Sequence, residues 1–346
     1  MRSCQFIVPP QLLEEKARRG SAEEREIALA TLSIDHSIRA GRIQTALLAG
    51  SGERLQLAVR GHSGRPDRTI FDAKHRLDTH ASSVLRTEEG QPSADVSANQ
   101  AFDGLGATYG FYWNVFQRDS IDNAGLPLLG EVHFGEHYDN AFWDGERMMF
   151  GDGDGQLFTG FTEAIDVIGH ELTHGVTEAT LALRYLGQPG ALNESLSDVF
   201  GSLVKQYHLG QTAEQADWLI GAGILGPSMR GQALRSMKAP GTAFEGDNQP
   251  ASMSGYVSTT SDNGGVHLNS GIPNQAFYLA ATALGGQAWE KAGRIWYEVM
   301  VRRAVGPQAG FVEFAQATTT MATSLFGLAS AELSAVHEAW RETEVL

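Results

Sequence analysis

The stretch VIGHELTHGV, residues 167–176, sets a His-Glu-x-x-His string among apolar residues. Ile165, Val167, Ile168, Leu172 and Val176 recur at the spacing of one helical face, so a helix is expected over 162–181. On a helix His170 and His174, four residues apart, share a face and can ligate one metal ion. Glu171 is offset around the helix, where its carboxylate reaches a metal-bound water instead of joining the ligand set. Zinc lowers the pKa of such a water towards roughly 7, and a carboxylate can then take its proton. The string alone is equally a chance match on an amphipathic helix. The rest of the chain has to supply a third ligand, a transition-state stabiliser and a place for a substrate.

The third ligand comes from GALNESLSDVFGSLV, residues 190–204, which reads as a second helix. Glu194 gives a His-His-Glu set with an open fourth position, as a catalytic zinc needs. Asp198, four residues on, shares its face and is flanked by apolar Leu196, Val199 and Phe200. Metal-bound histidines donate their second N–H to a carboxylate or carbonyl. Asp198 suits that role for one histidine and Asn193 for the other; the bland alternative for Asp198 is a surface charge. TSDNGGVHLNSG, residues 260–271, is a Gly-rich turn leading to His267. Asp262, across the Gly264-Gly265 turn, can hold the imidazole and raise its pKa. A hydrogen-bonding imidazole is what a tetrahedral oxyanion requires, and Tyr185 can donate a second bond. Taken singly, His267 and Tyr185 read as core residues.

The 346 residues are enough for two domains or two lobes, each with its own core. Net charge is −15, from 41 acidic and 26 basic side chains, with no Lys/Arg block. Such a surface repels nucleic acid and anionic membranes, so neither is expected as a partner. A single cysteine, Cys4, excludes an intrachain disulfide. No apolar run reaches membrane-spanning length. The opening MRSCQFIVPPQLLEEKARRG lacks the shape of a signal peptide, because FIV is short and runs into prolines and charge.

Residues 11–48 read as two amphipathic helices parted at Gly20-Ser21, with Ser21 and Glu24 forming a capping box. AGSGERLQ, residues 49–56, reads as an exposed linker. Beyond it RLQLAVRG and RTIFDA alternate like strands, 95–116 reads as helix and 128–150 as strands. From 162 the chain is mostly helical, with Gly-rich breaks at 221–231 and 262–273. The expected class is α+β, with a β-rich first half and a helical second half.

HELTH, GALNESLSD, LRSM and DNGGVHLNSG, in this order and spacing, resemble the thermolysin family of zinc endopeptidases, and NAFWDG and GDGDG upstream match it too. The similarity runs from about residue 65 to the C-terminus. The leader resembles the short propeptide of the protealysin-like subgroup, whose Pro-Pro-Leu-type motif here reads IVPPQLL. The resemblance implies a two-lobed zincin with the zinc helix crossing between the lobes. It implies a propeptide over 1–50, a β-rich catalytic lobe over 51–185 and a helical lobe over 186–346. One zinc on His170, His174 and Glu194 is implied, with Glu171 as general base, Tyr185 and His267 on the oxyanion, and Asp262 orienting His267. Asn140 and the Ala141 carbonyl would hold the peptide backbone, and Arg235 the substrate carbonyl. Phe158, Phe161, Val167 and Leu234 fall where the family lines its S1′ pocket, which implies a bulky apolar residue after the scissile bond. An apolar slot of this kind discriminates by only about 1–3 kcal/mol per methylene.

Thermolysin itself binds a calcium pair through acidic residues on and after the helix equivalent to that of Glu194. Here Lys205 stands in that helix, DWLIGAGILGP follows, and only Asp166 remains of the acidic set. A double calcium site is therefore expected to be absent, with the Lys205 ammonium pairing Asp166 in its place. In GDGDG, Asp152, Asp154 and Glu163 mimic an EF-hand frame, but Leu157 stands where its glycine belongs. The leader is expected to inhibit the enzyme in cis and to be cut off near 45–53. Cys4 reads as a small buried side chain; the competing reading is a thiolate that caps the zinc. The expected partners are protein and peptide substrates. By resemblance the enzyme works outside the cell; the opening residues leave a cytoplasmic stage or role open. Two other readings compete. An aminopeptidase would need an acidic anchor such as a Gly-x-Met-Glu-Asn segment, which is absent. A catalytically dead binding module would have lost a ligand or the base, and none is missing.

Overall fold

The computed structural model describes residues 5–48, 64–78 and 82–346, with the side chains of 42–48 left aside. Cys4, the linker at 49–56 and the RLQLAVRG segment lie outside the described residues, as does most of the 45–53 cleavage window.

The chain forms two compact units, Met1–Gly175 with Gly223–Met229, and Val176–Ala222 with Arg230–Leu346. The first unit opens with β1 (Gln5–Phe6), α1 (Pro10–Arg19) and α2 (Ala22–Leu48). Pro10 starts α1, where its missing N–H costs nothing. The expected capping box begins α2: Glu24 N–H donates to Ser21 Oγ (3.2 Å) and Ser21 N–H to Glu24 Oε2 (2.7 Å). β2 (Arg68–Asp72), β3 (Ser83–Thr87), α3 (Val96–Phe116), β4 (Leu128–Val132), β5 (Ala141–Trp143) and β6 (Arg147–Phe150) follow. Asp95 caps α3 by accepting the Ala98 N–H at 2.8 Å.

The six strands form one mixed sheet in the order β1-β5-β6-β4-β2-β3. β2, β4 and β6 run parallel, while β1 lies antiparallel to β5 with Phe6 opposite Phe142. The leader is thus an integral edge of the sheet, which the sequence did not announce: FIV reads as a mere apolar patch. Phe6 belongs to a buried cluster with Ala73, Phe134, Tyr138, Phe142 and Met149, and Ile34 and Ile38 of α2 pack on it.

α4 (Ile165–Ala179) carries the chain into the second unit. That unit holds α5 (Gly187–Leu209), the short ribbon β7 (Leu219–Ile220) with β8 (Arg235–Ser236), and α6 (Asp262–Asn269). α7 (Gly271–Leu284), α8 (Ala292–Val301), α9 (Phe311–Phe326) and α10 (Ala331–Glu342) complete it. Its core centres on Trp296, stacked on Trp340 at 6.1 Å, with Phe277 and Phe314 edge-on. The break expected at 262–273 is narrower than it reads. Asn263, Gly264 and Gly265 take left-handed backbone angles in one tight turn, and helix resumes at once.

Candidate active site

In the first unit, α4 is set by close packing. A Cβ on Gly175 would stand 2.7 Å from Ile121 and 3.1 Å from the Trp143 ring, so only glycine lets the helix approach β5 there. Thr173 donates to the Gly169 carbonyl (2.7 Å), and its Oγ1 lies 2.8 Å from the Tyr112 hydroxyl, which ties α4 to α3. This packing buries His170, Glu171 and His174. The two Nε2 atoms stand 3.0 Å apart on nearly perpendicular rings, close to the ~3.4 Å spacing of neighbouring ligands around a tetrahedral zinc. Glu171 Oε2 accepts the Trp143 backbone N–H at 3.0 Å, so the carboxylate is aimed by the NAFW strand.

That strand is engaged by the leader. Ile7 N–H donates to the Ala141 carbonyl (3.2 Å) and Val8 N–H to Asn140 Oδ1 (3.0 Å). Asn140 Nδ2 donates to Asp35 Oδ2 (2.9 Å), and the Tyr138 hydroxyl donates to Asp35 Oδ1 (2.5 Å). Burial pushes the Asp35 carboxyl up to about 7, against the lowering effects of Tyr138, Arg39 and Asn140. The sequence reading missed Asp35. Its signal was there: Ala28, Thr31, Leu32 and Asp35 lie on one helical stripe, which puts a carboxyl group on a buried face. Phe158 and Phe161 pack at 5.5 Å between ring centroids and, with Val167, are fully buried. In the GDGDG loop Asp154 Oδ1 accepts the N–H groups of Gln156 and Leu157, at 2.8 and 2.6 Å.

In the second unit, α5 buries Asn193, Glu194 and Asp198. The Tyr185 hydroxyl donates to Glu194 Oε1 and lies 3.4 Å from His267 Nε2. Asp262 holds His267 twice, accepting its ring Nδ1–H at 2.7 Å and its backbone N–H at 2.8 Å. The tight glycine turn makes this double grip possible. Burial works against protonation of His267, but the Asp262 and Glu194 carboxylates outweigh it and raise the pKa. Arg235 grips Asp198, its Nε and Nη2 each donating at 2.9 Å, and Asn274 Nδ2 donates to the same carboxylate at 2.8 Å. Leu234 is buried beside Arg235. Lys205 Nζ pairs with Asp217 (2.9 Å) and donates to the Leu219 carbonyl (2.6 Å). Asp166 is buried in the first turn of α4.

His170 and His174 are buried in the first unit and Glu194 in the second. Two imidazoles and a carboxylate make a donor set that fits zinc, and a further carboxylate, Glu171, stands next in sequence to a ligand. The comparisons with known proteins are specific. The family model for the thermolysin metallopeptidase catalytic domain matches residues 51–178, and that for its alpha-helical domain matches 182–345. The chain belongs to the thermolysin family and is a zinc endopeptidase. It is 48% identical over 345 residues to an extracellular metalloprotease of Pectobacterium carotovorum, covering 98% of this chain and 96% of that one. Protease PrtS of Photorhabdus is 43% identical, over 92% of this chain and 87% of its own. Among solved structures, the precursor of protealysin from Serratia proteamaculans matches with a TM-score of 0.88 at 48% identity, covering 99% of this chain and 100% of that one.

Proposed function

We propose that this chain is a secreted zinc endopeptidase made as a zymogen, whose leader inhibits it by occupying the backbone clamp meant for substrate. One observation carries the reading: β1 lies antiparallel on β5, and leader groups bond the Asn140 amide at both ends and the Ala141 carbonyl. An extended substrate adds to a sheet edge through the same backbone groups. Without β1, β5 is that edge. The Pectobacterium relative is described as extracellular and the Serratia structure as a precursor, which supports both halves of the proposal.

His170, His174 and Glu194 would hold one zinc ion. When bound, the ion supplies a Lewis acid that polarises the scissile carbonyl and acidifies water. Glu171, aimed by the Trp143 N–H, takes the proton from the attacking water and passes it to the leaving amine. Tyr185 and His267 donate to the oxyanion, with Asp262 fixing the imidazole. Asp198 and Asn193 support the ligand histidines. Arg235, held by Asp198, binds the substrate carbonyl. Phe158, Phe161, Val167 and Leu234 line an apolar S1′ pocket. Lys205 supplies a fixed positive charge in place of a calcium pair.

The test uses internally quenched peptides blocked at both ends, with Leu, Phe or Gly at P1′, and the matured enzyme with and without a zinc chelator. The expected result is cleavage at Leu and Phe, weak cleavage at Gly, and none with chelator. No cleavage of the blocked peptides, with cleavage of the same peptides once their amino ends are freed, would replace this reading with an aminopeptidase.

A further inference from the structure

A second group of metal-ligating side chains stands in the first unit, away from the HExxH string in sequence. β2, β4 and β6 are parallel neighbours, and each is followed at its carboxyl end by one such residue. His75 comes just past β2, His133 directly after β4 and Asp152 just past β6. Parallel register therefore delivers all three to one edge of the sheet. His133 Nδ1 is 2.9 Å from both Asp152 oxygens, and His75 Nδ1 is 3.6 Å from Asp152 Oδ2. The three ligand atoms lie within 4.8 Å of one another. Backbone bonds tie the three turns together: Ala73 N–H to Val132 O (3.0 Å), His75 N–H to His133 O (2.8 Å) and Phe134 N–H to Phe150 O (3.0 Å). The sheet, not a set of independent loops, fixes where these side chains stand.

We propose that His75, His133 and Asp152 form a second metal site, distinct from the HExxH centre, for a divalent transition ion such as zinc. The donor set selects the ion class. Two imidazoles and one carboxylate suit zinc, copper or nickel, whereas calcium takes six to eight oxygens. The spacing fits as well, since ligand atoms around a tetrahedral zinc sit about 3.4 Å apart. The outer contacts agree with this choice. His133 Nε2 donates to Asp95 Oδ2 at 2.8 Å, so one tautomer offers Nδ1 to a metal while its far N–H rests on a carboxylate. Asp95 is itself anchored by capping α3. His75 is 58% exposed and leaves an entry path.

The rival occupant is a proton. With no metal bound, both ring nitrogens of His133 rest on carboxylates, Nδ1 on Asp152 at 2.9 Å and Nε2 on Asp95 at 2.8 Å. A dication in its place would balance the same two carboxylates. The Asp152 loop also bonds back to the clamp strand, through Gly151 N–H to Asn140 O (3.0 Å) and Gly153 N–H to Tyr138 O (3.2 Å). An ion here would brace the segment that holds substrate or leader.

The experiment compares full-length wild type with His75→Ala, dialysed to equilibrium against micromolar zinc, with bound metal counted by mass spectrometry. It reads metal content, not cleavage, so it stands or falls apart from the peptidase reading. Wild type should hold one zinc equivalent more than His75→Ala, however many other sites fill. Added zinc should raise the melting temperature of wild type more than that of the variant. Because His75 is exposed, its removal leaves the fold intact; Asp152→Asn should lose the same equivalent. Equal zinc contents in wild type and His75→Ala would overturn the proposal and leave the cluster as a proton-held ion triad.

Discussion

Phe6→Ala in the leader should loosen the docked strand by a measurable amount. Phe6 is fully buried, its ring is 5.0 Å from Phe142, and the Arg39 guanidinium lies 4.6 Å over its outer face. Truncating a phenylalanine in such a cluster costs about 3–5 kcal/mol, from lost transfer energy and the cavity left behind. Local opening of β1 exposes that same surface, so the cost falls on the opening equilibrium. At about 1.4 kcal/mol per factor of ten, the open population should rise about a hundredfold to several-thousandfold. Hydrogen exchange in the Glu171→Gln precursor, whose self-cleavage the proposed mechanism slows by about 10²–10⁴, reads this at the Ile7 and Val8 amides, the two that bond Asn140 and Ala141. Their exchange should speed up by that factor, while the amides of α8 to α10 stay unchanged. In the catalytically competent chain the same variant should lose its leader sooner. A change below about threefold at Ile7 and Val8 would refute the claim that Phe6 anchors the leader.

Docking of the leader should weaken with pH. Asp35 is buried at about pKa 7 in the docked state, against 3.8 when free. The docked form therefore keeps a proton that the free leader releases. Docking is strongest below about pH 4, weakens up to tenfold per pH unit between about 4 and 7, and levels off above. Asp35→Asn should flatten this dependence in the same exchange experiment, and protection that rises with pH would contradict it. Arg235→Met leaves the Asp198 carboxylate buried without its cation, so denaturant unfolding should show a loss of about 3–5 kcal/mol. Glu171→Gln should lower kcat by about 10²–10⁴ while bound zinc stays constant. Asp262→Asn frees His267 to tilt, and kcat should fall up to about a hundredfold with KM little changed, as expected when one oxyanion donor is misaimed.

The parts of the fold fixed by local chemistry were readable in the sequence. The Ser21-Glu24 box, the α3 boundaries and the Gly264-Gly265 turn follow from caps, helical periodicity and glycine, whereas α4 runs over Ile165–Ala179, inside the 162–181 that its apolar spacing suggests, with Phe161–Glu163 forming a separate 3-10 turn. The zinc-ligand candidates were readable because His170 and His174 sit four apart on an apolar stripe and Glu194 follows on the next helix. What was not readable depends on pairing across long sequence distances. β1 has two residues, too few for any alternation, and becomes a strand only because β5 offers an edge. The bond from Asp35 to Asn140 spans 105 positions, so nothing local marks it. His75, His133 and Asp152 look unremarkable one by one; the parallel order of β2, β4 and β6 assembles them.

The most direct test of the account is one time course on the purified full-length chain, with and without a zinc chelator, following intact mass and cleavage of a blocked peptide together. The account predicts that activity appears in step with the loss of a fragment of about fifty residues, and that chelator prevents it. A chain that cuts the peptide at full rate with its leader still attached would contradict the claim that the leader closes the substrate clamp.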